Sequence, residues 1–294
     1  MIKLALIKKT SLSLTLTLFF SFLFTSCTHF FYHPDSFLYF DPKVVGYPYK
    51  DVFFKSKDGT KLHGWYFKNL TKKTKGTVMQ FHGNAQNISS HSASLVWMIK
   101  NGYNLFTFDY RGFGLSKGEP SPEGIHEDAL AALKHAYESH QLQNKGENKF
   151  IIIGQSLGGA IATRALKDFK HKNAVDLLVL DSTFASYKDV AFRALKRRPM
   201  TMILSPFAYL VVSDTYSPEK HFESLGIRTL VIHSKRDKMV TFKNGEDVYE
   251  LLKKSEGNIT DFWVTEDPHH INFFSIVNKE NQRKFLFLLD NLQR

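Results

Sequence analysis

From residue 50 onward the apolar positions fall into short runs separated by glycine, asparagine and aspartate turns. Residues 51–56 and 61–68 read as two strands joined by the Asp58-Gly59 hairpin turn. Residues 76–81 form a third strand, which leads into the polar stretch His82-Gly83-Asn84-Ala85-Gln86-Asn87. A helix follows over about 89–100 and is closed by Asn101-Gly102. The next strand, 104–110, runs into the glycine loop Arg111-Gly112-Phe113-Gly114. Ser121-Pro122-Glu123 is a good helix start, with N-cap, N1 proline and early acid, and this helix runs to about 140.

The β-branched run Phe150-Ile151-Ile152-Ile153 then stops at Gly154, and a helical segment is expected over 161–169. Residues 176–181 are an apolar strand. The alternation breaks over 185–212, which reads as two helical segments split near Arg197-Arg198-Pro199, the second apolar nearly throughout. Ser217-Pro218-Glu219 opens a short helix. Alternation returns with strand 228–234, helix 241–254, strand 260–264 and helix 272–292. This β-α order predicts an α/β fold: a mostly parallel sheet covered by helices on both faces, with functional groups at the C-terminal ends of its strands.

The first 26 residues have a different pattern. A basic start with Lys3, Lys8 and Lys9 precedes the apolar and hydroxylated run 10–25. That is the layout of a bacterial secretory signal, and its core is short for a spanning helix. The close, Phe24-Thr25-Ser26-Cys27, resembles a bacterial lipobox. The resemblance implies lipidation at Cys27 and a membrane-anchored lipoprotein of the bacterial cell envelope, with acyl chains holding the N-terminus to a membrane. Three parts are therefore expected: a signal over 1–26, an aromatic-rich arm over 27–50, and one domain over 51–294 with a helical insertion at about 185–224.

The chain has 294 residues, 43% hydrophobic and 23% charged, which is ordinary for a globular protein. Its formal net charge is +11. This excess suits a solvated basic surface, an anionic membrane or an acidic substrate. No arginine-rich arm or zinc-finger spacing accompanies it, so no nucleic-acid partner is expected. With one cysteine, Cys27, no intramolecular disulfide can form. No HExxH, CxxC or GxxxxGK[ST] run is present, and neither a metal nor a cofactor is implied.

The candidate chemistry starts at Gly154-Gln155-Ser156-Leu157-Gly158. A strand, a tight turn with Ser156 at its apex and a helix make the nucleophile-elbow pattern. Side chains at 154 or 158 would strike the neighbouring strand or helix. The turn lifts the Ser156 hydroxyl clear of the sheet and leaves the Leu157 N–H beneath an incoming carbonyl. A serine nucleophile needs a base, and the base needs an orienting group. Asp237 follows strand 228–234, and His269 and His270 follow strand 260–264, all at the same sheet edge.

At this point the sequence resembles the α/β-hydrolase superfamily of serine hydrolases, in its esterase-like branch. The elbow, 81–87, 109–116 and 233–240 carry the likeness, which covers about 50–292. It implies Ser156 as nucleophile, Asp237 as orienter and a histidine of the last loop as base. His270-Ile271-Asn272 matches the family's loop, so His270 is preferred to His269. Asn84, after His82-Gly83, is implied as the second oxyanion donor beside Leu157. Gln86 stands where relatives often carry glycine. Asp181 is the rival orienter. His82 is read as a brace of the oxyanion loop, His233 as a core residue, and Asp109 and Arg111 as a turn network. The insertion sits where this fold carries a lid.

The expected activity is cleavage of small-molecule or lipid-like esters through an acyl-enzyme. A peptidase or thioesterase would use the same groups, and a non-catalytic envelope binding protein is the alternative from another class.

Overall fold

Parity along the strands decides the packing. The computed structural model describes residues 31–144, 148–254 and 259–293. Strand β5 (Lys149–Gln155) sends Phe150 and Ile152 to one face of the sheet, and Ile151 and Ile153 to the other. Strand β3 (Gly76–Phe81) divides Met79 and Phe81 from Val78 in the same way. So does β6 (Leu177–Asp181), with Leu178 and Leu180 against Leu177 and Val179. Successive side chains point to opposite faces, so continuous apolar runs require cover on both sides. Each such Ile or Leu contributes roughly 1.5–3 kcal/mol when fully buried.

The remaining strands are β1 (Lys50–Lys55), β2 (Lys61–Phe67), β4 (Tyr103–Asp109), β7 (Thr229–Ser234) and β8 (Thr260–Thr265). Among the described residues they form one eight-stranded sheet in the order β1-β2-β4-β3-β5-β6-β7-β8. β1 and β2 are antiparallel to their neighbours, and the pairs from β4 to β8 are parallel.

The α-helices among the described residues are α1 (Ile88–His91), α2 (Pro122–Asn144), α3 (Leu157–Asp168), α4 (Tyr187–Lys196), α5 (Ala208–Val211), α6 (Phe242–Lys253) and α7 (Lys279–Asp290). Ile125, Leu133, Ile161, Ala165 and Val248 bring α2, α3 and α6 onto one face. Trp97, Ile99, Phe285 and Leu289 bring the 88–101 segment and α7 onto the other. No helix among the described residues is long and apolar enough to cross a membrane. Cys27 and the run 10–25 lie outside the described residues.

Three elements depart from the sequence expectation. The helix expected over 89–100 is one α-turn followed by 3₁₀ turns at Ser92–Ser94 and Val96–Asn101. The His91 carbonyl accepts from Gln80 Nε2 and Ser94 Oγ, and the Ser94 carbonyl from Trp97 Nε1. Side chains that take helix carbonyls in this way compete with the α ladder. The helix expected over 272–292 is confined to α7. Asn278 Nδ2 donates to the Asn272 carbonyl and Gln282 Nε2 to that of Ser275, which holds the preceding segment in turns. The elbow helix, expected from 161, begins at Leu157.

The arm preceding β1 is tied to the domain. Tyr32 is buried in the core, and Phe31 meets Tyr187 edge-on at 5.3 Å. Asn87 Nδ2 donates to the carbonyls of Asp35 and Phe37, and Gly114 N–H donates to that of Asp35.

Candidate active site

The elbow is built by close approach of backbone to backbone. Ser156 has φ 53° and ψ −121°, a conformation that an L-residue holds only under constraint. Its N–H donates to Asp181 O at 2.8 Å, and its carbonyl accepts from Thr183 Oγ1 at 2.7 Å. A Cβ on Gly154 would lie 2.5 Å from Gly159 Cα, and one on Gly158 would lie 2.2 Å from Phe81 O. These two glycines are what let α3 pass so near β3 and β5. Leu157 is the first residue of α3, where N–H groups have no partner within the helix.

The parallel register brings the other groups to the same edge. Gln155 lies opposite Asp181, and Ser234 opposite Thr265, so the loops after β5, β6, β7 and β8 open side by side. In the loop after β7, Asp237 is buried and both its oxygens are occupied. Oδ1 accepts from the N–H groups of Met239 at 2.7 Å and Val240 at 3.0 Å. Oδ2 is 2.6 Å from His270 Nδ1. Burial pushes this carboxyl up, but the His270 bond, the His270 charge and the Met239 N–H outweigh it and hold it below the usual carboxylate range.

The two loop histidines separate clearly. His270 has a side chain 18% exposed and engages Asp237. His269 is 75% exposed and its ring turns to Asp267 Oδ1 at 2.8 Å. Ile271, next to them, has φ 50°. Asp181, the rival orienter, is hydrogen-bonded to Gln155 Nε2 at 3.2 Å and Ser182 Oγ at 3.1 Å instead. Burial raises it to about 6 against those bonds. Among the described residues the Ser156 hydroxyl is not hydrogen-bonded to His270. Such bonds are often open in a free enzyme and close with substrate.

The loop after β3 forms the facing wall. A Cβ on Gly83 would lie 3.6 Å from Ser156 Cβ and 3.3 Å from His91 Cε1, so the loop touches the elbow. Ala85 and Gln86 have φ 60° and 55°. Two consecutive left-handed non-glycine residues cost about 1–2 kcal/mol each. Gln86 Oε1 accepts from Ser90 Oγ at 2.5 Å. Asn84 Oδ1 accepts from His33 N–H at 3.0 Å and Ala85 N–H at 2.9 Å, so the arm helps hold this loop.

His82 is fully buried, with Nδ1 2.8 Å from Gly83 O and its ring stacked on His91 at 5.2 Å. Burial, then the His91 charge, press its pKa well below the ordinary value against the Gly83 bond, so the ring is neutral. His233 is buried and 2.9 Å from Val240 O. Asp109 accepts from Ile88 N–H, and Arg111 forks onto Asp128 and reaches Asp58. No group of three His, Cys, Asp or Glu side chains among the described residues is arranged for a metal.

Two participants were not singled out from sequence. His91 packs on His82 and lies 3.1 Å from Ala85 O. Thr183 fastens the Ser156 carbonyl and packs against Gly159. Neither belongs to a spaced motif. The one signal for Thr183 is its place just past the C-terminal end of a buried strand.

The chain is similar to known proteins in sequence and in fold. The family described as "Serine aminopeptidase, S33" matches residues 72–219. The uncharacterized protein YfhR of Escherichia coli (strain K12) is 32% identical over 252 residues, covering 84% of this chain and 81% of that protein. Lysophosphatidylserine lipase ABHD12 of Bos taurus is 27% identical over 74% of this chain and 55% of its own. Among solved structures, the Pyrococcus furiosus esterase Pf2001 superposes with a TM-score of 0.71 and 24% identity, over 90% of this chain and 99% of that one. The chain belongs to the serine aminopeptidase S33 family of the α/β-hydrolase superfamily.

Proposed function

We propose that the protein hydrolyses carboxylic esters, with Ser156 as nucleophile, His270 as general base and Asp237 as the group that orients it. The observation that carries this reading is the His270–Asp237 pair at 2.6 Å on the sheet edge that presents Ser156 on its constrained turn. His270 Nε2 takes the Ser156 proton as Oγ attacks the acyl carbonyl. Asp237 Oδ2 accepts a hydrogen bond from the Nδ1–H, fixing the tautomer and stabilising the imidazolium. The Asn84 and Leu157 N–H groups receive the oxyanion, at about 3 kcal/mol per donor. His270 then protonates the leaving alcohol, and water deprotonated by the same ring releases the acid from the acyl-enzyme.

The substrate class is an acyl ester with a lipid-like chain. The apolar insertion after β6 supports it, as does the likeness to a relative named a lipase. An amide or thioester would pass through the same steps, and the family's description as an aminopeptidase keeps that reading in play. Lipidation at Cys27 would hold the protein to an envelope membrane. A fluorophosphonate probe tests the assignment: labelling of the wild-type chain that vanishes in Ser156→Ala supports it. A folded protein that never labels is a binding module instead. Hydrolysis of esters of graded chain length, against matched amides and thioesters, then separates the substrate readings.

A further inference from the structure

The insertion after β6 contains a helical stretch turned inside out. Over Met202–Phe207 and α5, the side chains facing the domain are small: Ser205 and Ala208, followed by Val212. The large apolar ones face outward. Ile203 is 81% exposed, Leu210 72% and Phe207 56%, and Met200 just before them is 93% exposed. Leu204, Tyr209 and Val211 are exposed as well, so the apolar exposure runs through both the 3₁₀ and the α-helical part of the stretch. A helix on a water-soluble surface shows the opposite pattern, and monomeric proteins rarely leave so continuous an apolar patch uncovered.

Charge specifies what covers it. Between Asp189 and Asp214 there is no acidic residue, while Lys196, Arg197 and Arg198 border the patch and are exposed. Arg193 is paired with Asp247; among the described residues Arg197 and Arg198 have no ion pair, and Lys196 lies over the Phe192 ring. Two copies of this cationic rim would repel each other, which disfavours self-association. An apolar face with a cationic border and nearby aromatics matches the boundary between lipid acyl chains and anionic headgroups.

The start of the described chain points the same way. Phe31 packs on Tyr187, the first residue of α4, and Tyr32 is fixed in the core. The apolar run 10–25 and Cys27 precede this point in sequence. Four residues from Cys27 to Phe31 span at most about 14 Å. Anything that holds residue 27 to a membrane therefore holds the insertion beside that membrane.

We propose that the 200–211 face of the insertion docks on an anionic phospholipid bilayer, setting the edge that carries Ser156, Asp237 and His270 at the membrane surface. This goes beyond the hydrolase reading, and it does not require lipidation of Cys27.

The experiment uses the full chain with Cys27→Ala and one added labelling site, Ile203→Cys, Leu210→Cys or the distant exposed Leu142→Cys. Each is coupled to an environment-sensitive fluorophore and bound to phosphatidylcholine–phosphatidylserine vesicles. Unchanged thermal melting confirms that each variant folds. Lipid-borne nitroxide should quench the dye at 203 and 210 several-fold more than at 142, and iodide should do the reverse. Lys196→Gln, Arg197→Gln and Arg198→Gln together should weaken docking on the order of 100-fold and return position 203 to iodide.

Equal iodide access at 203, 210 and 142 on vesicle-bound protein overturns the proposal. So does burial of the dye without vesicles, whether it rises with protein concentration, which assigns the face to a second copy, or follows addition of an ester, which assigns it to closure over the site. The Cys27→Ala background keeps a failure here apart from a failure of lipidation, and fluorophosphonate labelling of Ser156 reports the hydrolase reading separately.

Discussion

Gly158→Ala sets two effects of opposite sign against each other. Gly158 lies inside α3, where alanine is favoured over glycine by about 1 kcal/mol, so helix propensity alone predicts a more stable protein. Packing predicts the reverse. The added Cβ would sit 2.2 Å from the Phe81 carbonyl oxygen and 2.4 Å from that of His82. Both are backbone atoms and cannot rotate away. Reaching even 3.0 Å requires about 0.8 Å of relative movement between α3 and the end of β3. Overpacking of this kind typically costs about 1–3 kcal/mol, and backbone contacts lie at the upper end, so the net change is a loss of about 2 kcal/mol.

The same movement displaces the loop that begins at Gly83. A shift near 1 Å in positioning groups costs about 100-fold in rate. Urea denaturation followed by fluorescence reads the stability, and the second-order rate of fluorophosphonate labelling reads the site. Gly226→Ala is the control. That glycine has open space around it and φ 65°, so it should lose about 1 kcal/mol with no change in labelling. A Gly158→Ala protein as stable as wild type and labelling at the wild-type rate would refute the account of the elbow.

Three other outcomes are expected. Asp237→Asn should lower ester turnover about 10⁴-fold, because the amide no longer enforces the Nδ1-protonated tautomer, whereas His269→Ala should stay within a few-fold; steady-state kinetics on a short-chain ester compares them. Asp181 has its carboxyl raised to about 6 by burial, so between about pH 4 and 6 the native state holds a proton that the unfolded chain has released. Stability therefore falls by about 3 kcal/mol as pH rises through that window. Asp181→Asn should flatten that slope in urea titrations, and an unchanged slope would contradict the assignment. Cys27→Ala should abolish incorporation of a labelled fatty acid in cells, which metabolic labelling checks directly.

What could be read in advance followed from how local each determinant is. The alternation of strands and helices was legible because burial on both faces of a parallel sheet writes itself as continuous apolar runs, and Phe150-Ile151-Ile152-Ile153 is such a run. The elbow was legible because its pattern, a strand, Gly154-x-Ser156-x-Gly158 and a helix, is local in sequence, even though the carbonyls that Gly158 makes room for belong to Phe81 and His82. The 89–100 helix was misread because its breaking depends on Gln80, a residue of another element, whose amide takes the His91 carbonyl. The 272–278 turns depend likewise on Asn278 and Gln282 reaching back to carbonyls. Local propensity contains none of these contacts.

At the site, the division between His269 and His270 turns on one residue of backbone conformation. Both rings lie in the bend and turn that follow β8, where each side chain goes to the partner its own part of the loop offers. The likeness to relatives favoured His270, but composition and spacing treat the two rings as equivalent. What separates them is the loop after β7. There Asp237 Oδ1 is committed to the Met239 and Val240 N–H groups, which leaves Oδ2 facing the neighbouring loop. Asp267, four residues before Ile271, takes the His269 ring, the His269 N–H and the Asn272 amide. With His269 held by the acid of its own loop, His270 is the ring turned to the acid of the loop after β7. The pairing is thus settled by which carboxylate has an oxygen still unoccupied, a property of two loops together that neither sequence segment carries alone.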